Sequence, residues 1–152
     1  MFNAVSQLFH EWRQWQAYRA TPLESREVVF YSEGAGYWTH FEPIVRHWLN
    51  SQKRELVYLT SDINDPLIME PIDGVKAFYI GTGTIRTLLF ATMQAKLVVM
   101  TMPDLETYYI KRSPNVDHYA YIHHSMVSCH MVYREQAFDH FDSILCVGPH
   151  HI

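Results

Sequence analysis

The sequence predicts an α/β fold: a Rossmann-like, doubly wound domain with a mostly parallel sheet. Short β-branched and aromatic runs recur along the chain, turn residues follow them, and helical patterns separate several of them. Strands joined through helices require right-handed crossovers and therefore parallel neighbours. With 152 residues, 48% hydrophobic and 14% aromatic, the chain is long enough for one core.

The first element is an amphipathic helix within residues 1–25. Phe2, Val5, Leu8, Phe9, Trp12 and Trp15 recur at three- and four-residue steps, with Gln, Glu and Arg between them. Such a stripe packs on its own domain, on a neighbouring one, or on a membrane surface. The Rossmann-like domain is expected over residues 26–152. It opens with the run Val28 to Ser32, a Glu33-Gly34-Ala35-Gly36 turn, and a helix carrying Trp38, Phe41, Ile44, Val45, Trp48 and Leu49. Leu56 to Thr60 and Ala77 to Ile80 read as buried parallel strands, the first closed by turn chemistry over Ser61 to Pro66.

Gly81-Thr82-Gly83-Thr84 opens a helix through Leu88, Leu89, Ala91 and Met93, and Leu97 to Thr101 is the next strand. Thr107 to Arg112 reads as a short extended excursion and Ser113-Pro114-Asn115 as a turn. Tyr119 to Ile122 is a strand, Tyr133 to His140 a short helix and Ser143 to Val147 a last strand. Gly148-Pro149 then has the form of a strand-to-helix turn. The expectation is an N-terminal part of a longer protein whose covering helix and second domain follow.

Charge and cysteine usage narrow the function. A net charge of -4 gives no basic face for a nucleic-acid partner. Cys129 and Cys146 lack C-x-x-C spacing, which favours reduced thiols in a cytoplasmic protein. No stretch reaches the ~18 apolar residues of a spanning helix, and no secretory signal opens the chain.

Three segments carry candidate chemistry. Gly34 and Gly36 follow the first strand as a phosphate loop does, but the third glycine of G-x-G-x-x-G is missing, so a tight turn open to substrate is the reading. Thr82 and Thr84 open a helix as N-cap threonines whose neighbouring amides can hold a phosphate, without the Gly-Lys-Ser/Thr of a nucleotide-hydrolysing loop. His123 and His124 end a strand at its carboxyl edge, where open α/β sheets collect ligands, with Ser125 and Ser128 just after. Adjacent strand residues face opposite ways, so one histidine is expected in the cleft as a base and the other in a structural role. The chain has 10 histidines, yet none falls in a recognised metal spacing, so neither a metal nor a cofactor is expected.

The stretch Tyr121-Ile122-His123-His124-Ser125-Met126-Val127-Ser128, followed by His130 to Arg134, Ala137 to Asp142 and Cys146 to His151, resembles the end of the N-terminal domain of CDP-glycerol glycerophosphotransferases, the teichoic-acid-type polymerases and primases. The likeness is densest from Tyr119 to Ile152. It implies the N-terminal half of a GT-B transferase, in which two Rossmann-like domains face a cleft and the second holds the cytidine nucleotide. The implied reaction moves glycerol phosphate from CDP-glycerol to an acceptor hydroxyl and releases CMP. The acceptor is a polyol phosphate or glycan, lipid-linked at the inner membrane face, where the N-terminal helix with Arg13 and Arg19 is one candidate surface contact and a dimer contact is another. In the family a histidine before a small residue, often glycine, is a proposed general base. His124-Ser125 stands at that place, which implies His124 as the base; His123, Ser125, Ser128, Gly34, Gly36, Thr82 and Thr84 are expected around the substrate from their own places at strand ends and loops. Two other classes remain open: another GT-B sugar-nucleotide transferase or epimerase half, and a non-catalytic binding module.

Overall fold

A computed structural model describes residues 4–106, 110–124, 133–146 and 148. Six strands form one sheet, all neighbours parallel: β1 (Val28–Ser32), β2 (Leu56–Thr60), β3 (Val75–Tyr79), β4 (Ala95–Met100), β5 (Val116–Ile122) and β6 (Ser143–Leu145). Their order is β3-β2-β1-β4-β5-β6, the doubly wound order of a Rossmann-like fold. The chain runs outward from β1 in both directions, so the carboxyl ends of β1 and β4 flank the switch point where ligands of open α/β sheets collect.

Continuous apolar runs become strands because both faces of the sheet are covered. Every residue of β1 and of β2 is buried. The period of two then divides the core. Val29 and Tyr31 point to one side with Val57 and Leu59, while Val28 and Phe30 point to the other with Leu56 and Tyr58. Helices α1 (Ala4–Ala20) and α4 (Thr84–Thr92) lie on the first side, where Tyr18 meets Phe78 edge-on at 6.0 Å and Phe90 meets Tyr31 at 4.9 Å. Helix α2 (Trp38–Gln52) lies on the second. Its Trp38, Phe41 and Val45 recur on one face, and Phe41 packs edge-on against Phe30 at 5.5 Å.

Local chemistry ends these elements. Helix α2 stops where Lys53 turns left-handed at φ 52° and returns its amide to the Leu49 carbonyl. The four-residue helix α3 (Pro66–Met69) starts at Asp65, whose Oδ1 accepts from the Leu67 amide at 3.1 Å with Pro66 at the first helical position. The other Asp65 oxygen accepts from Tyr58 at 3.0 Å and Thr60 at 2.8 Å, so a fully buried carboxylate ties β2 to its following helix. The Ser61 to Pro66 stretch read as turn chemistry thus also launches a helix.

Two expectations change. Tyr133 to His140 is not a helix: Gln136 sits at φ 68°, and Ala137, Asp139 and Phe141 each reach back three residues, so the stretch is a chain of turns. The last strand ends at Leu145, and its three residues are exposed. The N-terminal stripe divides as well. Trp15 and Tyr18 enter the domain's core, whereas Val5, Leu8, Phe9 and Trp12 remain exposed beside Leu88 of α4. The excursion foreseen over Thr107 to Arg112 falls partly on residues 107–109, outside the described residues. No helix among the described residues is long and apolar enough to cross a membrane.

Candidate functional site

The carboxyl edge of β5 separates the two adjacent histidines. His123 turns to the α1–α4 side, 4% exposed, with Tyr121, Phe138 and Tyr133 rings at 5.1, 5.3 and 5.9 Å. That is an aromatic surround, not a cleft wall. His124 takes the opposite side, half-buried, with the Tyr37 ring edge-on at 5.1 Å and the His40 ring at 5.6 Å. Burial pushes the His124 imidazole below its ordinary value, the Ile122 carbonyl opposes that shift, and charge on His40 adds to it. His124 is therefore neutral at neutral pH. Its Nδ1 is buried without a hydrogen-bond partner among the described residues. Ser125 and Ser128 lie outside the described residues.

The loop after β1 differs from a phosphate cradle in its electrostatics. Gly34 is extended at φ -168°, a conformation open to any residue, and Gly36 has open space where a side chain would stand. Ser32 Oγ donates to the Gly34 carbonyl at 2.7 Å, and the Ala35 amide donates to Asp62 Oδ2 at 3.2 Å. The Glu33 carboxyl stands half-buried in the same loop, pushed up by burial and held down in part by Arg86. Two carboxylates thus stand where a dinucleotide pyrophosphate would bind.

Arg86, in the first turn of α4, reaches the switch point from the other side. Its Nη1 donates to the Tyr31 hydroxyl at 3.2 Å, which pairs with Ser61 Oγ at 2.9 Å, and Ser61 donates to the Gly81 carbonyl at 2.7 Å. Its buried Nε has no partner among the described residues. The N-cap of α4 is Gly83, not a threonine, and no side chain caps the helix, so the expectation of N-cap threonines is corrected. Thr82 and Thr84 are exposed beside that end. Gly81 is required by contact as well as by conformation: φ is 62°, and a Cβ would collide with the buried Glu11 carboxylate of α1. Gln7 Nε2 donates to that carboxylate at 2.9 Å.

The chain matches no known family, no curated protein and no solved structure. Among the described residues, no three His, Cys, Asp or Glu side chains converge as metal ligands would. What does converge around the carboxyl ends of β1 and β5 is an imidazole held neutral, a second imidazole, the Tyr37 ring, and the half-buried Glu33 beside Arg86. This set can accept a proton from a hydroxyl and hold polar substrate groups near it.

Sequence reasoning placed His124 at this edge and missed Glu33, Tyr37, His40 and Arg86. A signal was present for two of them. His40 and Arg86 occupy the first turns of helices that follow β1 and β3, and the start of such a crossover helix lies at the carboxyl edge of the sheet. Glu33 carries no such signal, because its burial beside Arg86 of α4 is set by the assembled sheet and not by its own loop.

Proposed function

We propose that this chain is the acceptor-side half of a CDP-glycerol glycerophosphotransferase-like enzyme, in which a second domain holds the donor. The observation that carries the reading is His124: an imidazole at the carboxyl edge of a parallel strand, held unprotonated by burial, with Nδ1 unclaimed among the described residues. A general base needs those properties. The Rossmann-like sheet suits either half of such an enzyme, but Glu33 and Asp62 in the β1 mouth favour a neutral polyol hydroxyl over a nucleotide pyrophosphate.

In the proposed step His124 takes the proton of the acceptor hydroxyl. The hydroxyl oxygen forms a bond to the β-phosphorus of CDP-glycerol, the bond from that phosphorus to the bridging oxygen breaks, and CMP departs with the electron pair. The second domain supplies the donor contacts, and orientation between the two domains supplies much of the rate. Peripheral placement at an inner membrane face belongs to the same proposal; the exposed Val5, Leu8, Phe9 and Trp12 support it by leaving an apolar stripe on α1.

The test follows CMP release from CDP-glycerol by the chain joined to its donor-binding domain, with and without a polyol-phosphate acceptor. His124→Ala is expected to lower acceptor-dependent release by about 10²–10⁴-fold with the fold intact. Unchanged release leaves His124 structural, and no release from any CDP-alditol removes the assignment.

A further inference from the structure

The mouth of β3 holds a second set of polar groups, apart from the His124 edge. Gln7, His10, Ile63 and Tyr79 line a cleft of about 160 Å³ between α1, the end of β3 and the loop after β2. The His10 and Tyr79 rings stand 5.7 Å apart, with planes 38° from parallel. A space of that size admits a molecule of about six non-hydrogen atoms.

Next to this cleft the fold buries a carboxylate without a cation. Glu11 is 4% exposed, packs against the Gly81 backbone, and forms no ion pair among the described residues. Its hydrogen bond among those residues comes from Gln7 Nε2 at 2.9 Å, one turn away on α1, and the same nitrogen reaches the Tyr79 hydroxyl at 3.4 Å. A carboxylate only accepts, so it fixes which way the Gln7 amide faces. The amide turns its NH2 group to Glu11 and Tyr79, and its carbonyl oxygen, Oε1, accepts from no group among the described residues.

The electrostatics of the cleft have one sign. Burial raises the Tyr79 hydroxyl above its ordinary value, charge on Glu11 adds to the rise, the Gln7 amide opposes it, and charge on Asp62 adds again. The Asp62 oxygens accept only from the backbone amides of Ala35 and Asn64, which leaves its charge in place. An amide oxygen, two aromatic rings and two carboxylates without a cation make a surround for a cation that carries N–H donors. A quaternary ammonium would use the rings but not the oxygen, and an alcohol the oxygen but not the field.

We propose that this cleft binds the primary ammonium group of a small amine: the ammonium donates to Gln7 Oε1 beside the His10 and Tyr79 rings, and a short alkyl portion lies on Ile63. Glu11 is the positioning residue, acting through the Gln7 amide that it orients. The site uses neither His124 nor the β5 edge and does not rest on the transferase reading.

The probe is n-butylammonium, with n-butanol as its neutral counterpart and tetramethylammonium as a cation without N–H. Signals of the Gln7 side-chain amide and the His10 and Tyr79 rings are followed by NMR in the intact chain at constant pH and ionic strength. The ring of His118, held against Ser143 Oγ, is the reference. Butylammonium is expected to move these signals saturably, and butanol and tetramethylammonium to bind about tenfold more weakly or less. Glu11→Gln should weaken butylammonium by a similar factor. Gln7→Leu should do the same at an exposed helical position, so the test survives if Glu11→Gln does not fold. A wild type whose cleft signals do not saturate overturns the proposal, as does equal affinity for butanol or tetramethylammonium, a response shared equally by His118, or undiminished binding in folded Glu11→Gln or Gln7→Leu. No CMP is measured, so either result leaves the transferase reading to its own test.

Discussion

The Ala35 amide donates to Asp62 Oδ2 at 3.2 Å, so a carboxylate from the β2 loop takes the backbone donor that a phosphate-binding turn would offer its ligand. The same side chain accepts from the Asn64 amide at 2.9 Å through Oδ1, which braces its own turn. One aspartate thus closes the β1 loop and holds the β2 loop in place.

Asp62→Ala should lower stability by about 1–3 kcal/mol, the range for two modest hydrogen bonds. Urea unfolding measures this. Wild-type protein should show no saturable NAD or ATP binding by calorimetry, because Glu33 and Asp62 oppose a polyphosphate at this mouth; micromolar affinity for either would refute that electrostatic account.

Gly81→Ala should be among the more damaging small substitutions. The left-handed backbone costs about 1 kcal/mol and the collision with Glu11 adds more. Pairing it with Glu11→Ala removes the collision but not the backbone strain. The double variant should therefore be less destabilised than the two single losses added together, and simple additivity in a denaturant cycle would show that the two residues do not clash.

Asp65→Ala removes the acceptor for Tyr58, Thr60 and the Leu67 amide in a fully buried setting. A loss of about 3 kcal/mol or more is expected, because the abandoned donors have no water to turn to. Asp65→Asn, which retains one acceptor oxygen, should lose less. Equal stability of Asp65→Ala and wild type in guanidinium unfolding would contradict the buried network.

The pH dependence of stability carries the signature of His124. Its folded value lies below the unfolded one, so its contribution is present above the unfolded value of about 6.5 and is lost as pH falls through the folded value. His124→Gln should flatten the stability profile on the acid side of neutrality and leave the alkaline side unchanged. Thermal melts across that range decide the matter. For the proposed transferase, the acid limb of CMP release should likewise lie below the ordinary histidine value.

Local pattern determined much of this protein. The β-branched and aromatic runs at Val28 to Ser32 and Leu56 to Thr60 appear as strands with those bounds, and the spacing of Trp38, Phe41 and Val45 appears as the buried face of α2. The period-two rule also separates His123 from His124, because side-chain alternation is a property of any strand and needs no partner. The last strand, expected over Ser143 to Val147, was legible as far as Leu145, whereas the helix expected over Tyr133 to His140 does not form: apolar spacing there describes contacts made by turns, with Gln136 left-handed.

Only the tertiary structure decided the strand order and the meetings across it: His40 with His124, Asp62 with Ala35, Glu11 with Gly81. Helical and strand periods report which way a side chain faces within its own element. They carry no information on which element lies opposite. That choice comes from crossover handedness and from core packing summed over the whole chain, so a site built from the ends of several strands emerges only once the sheet is assembled.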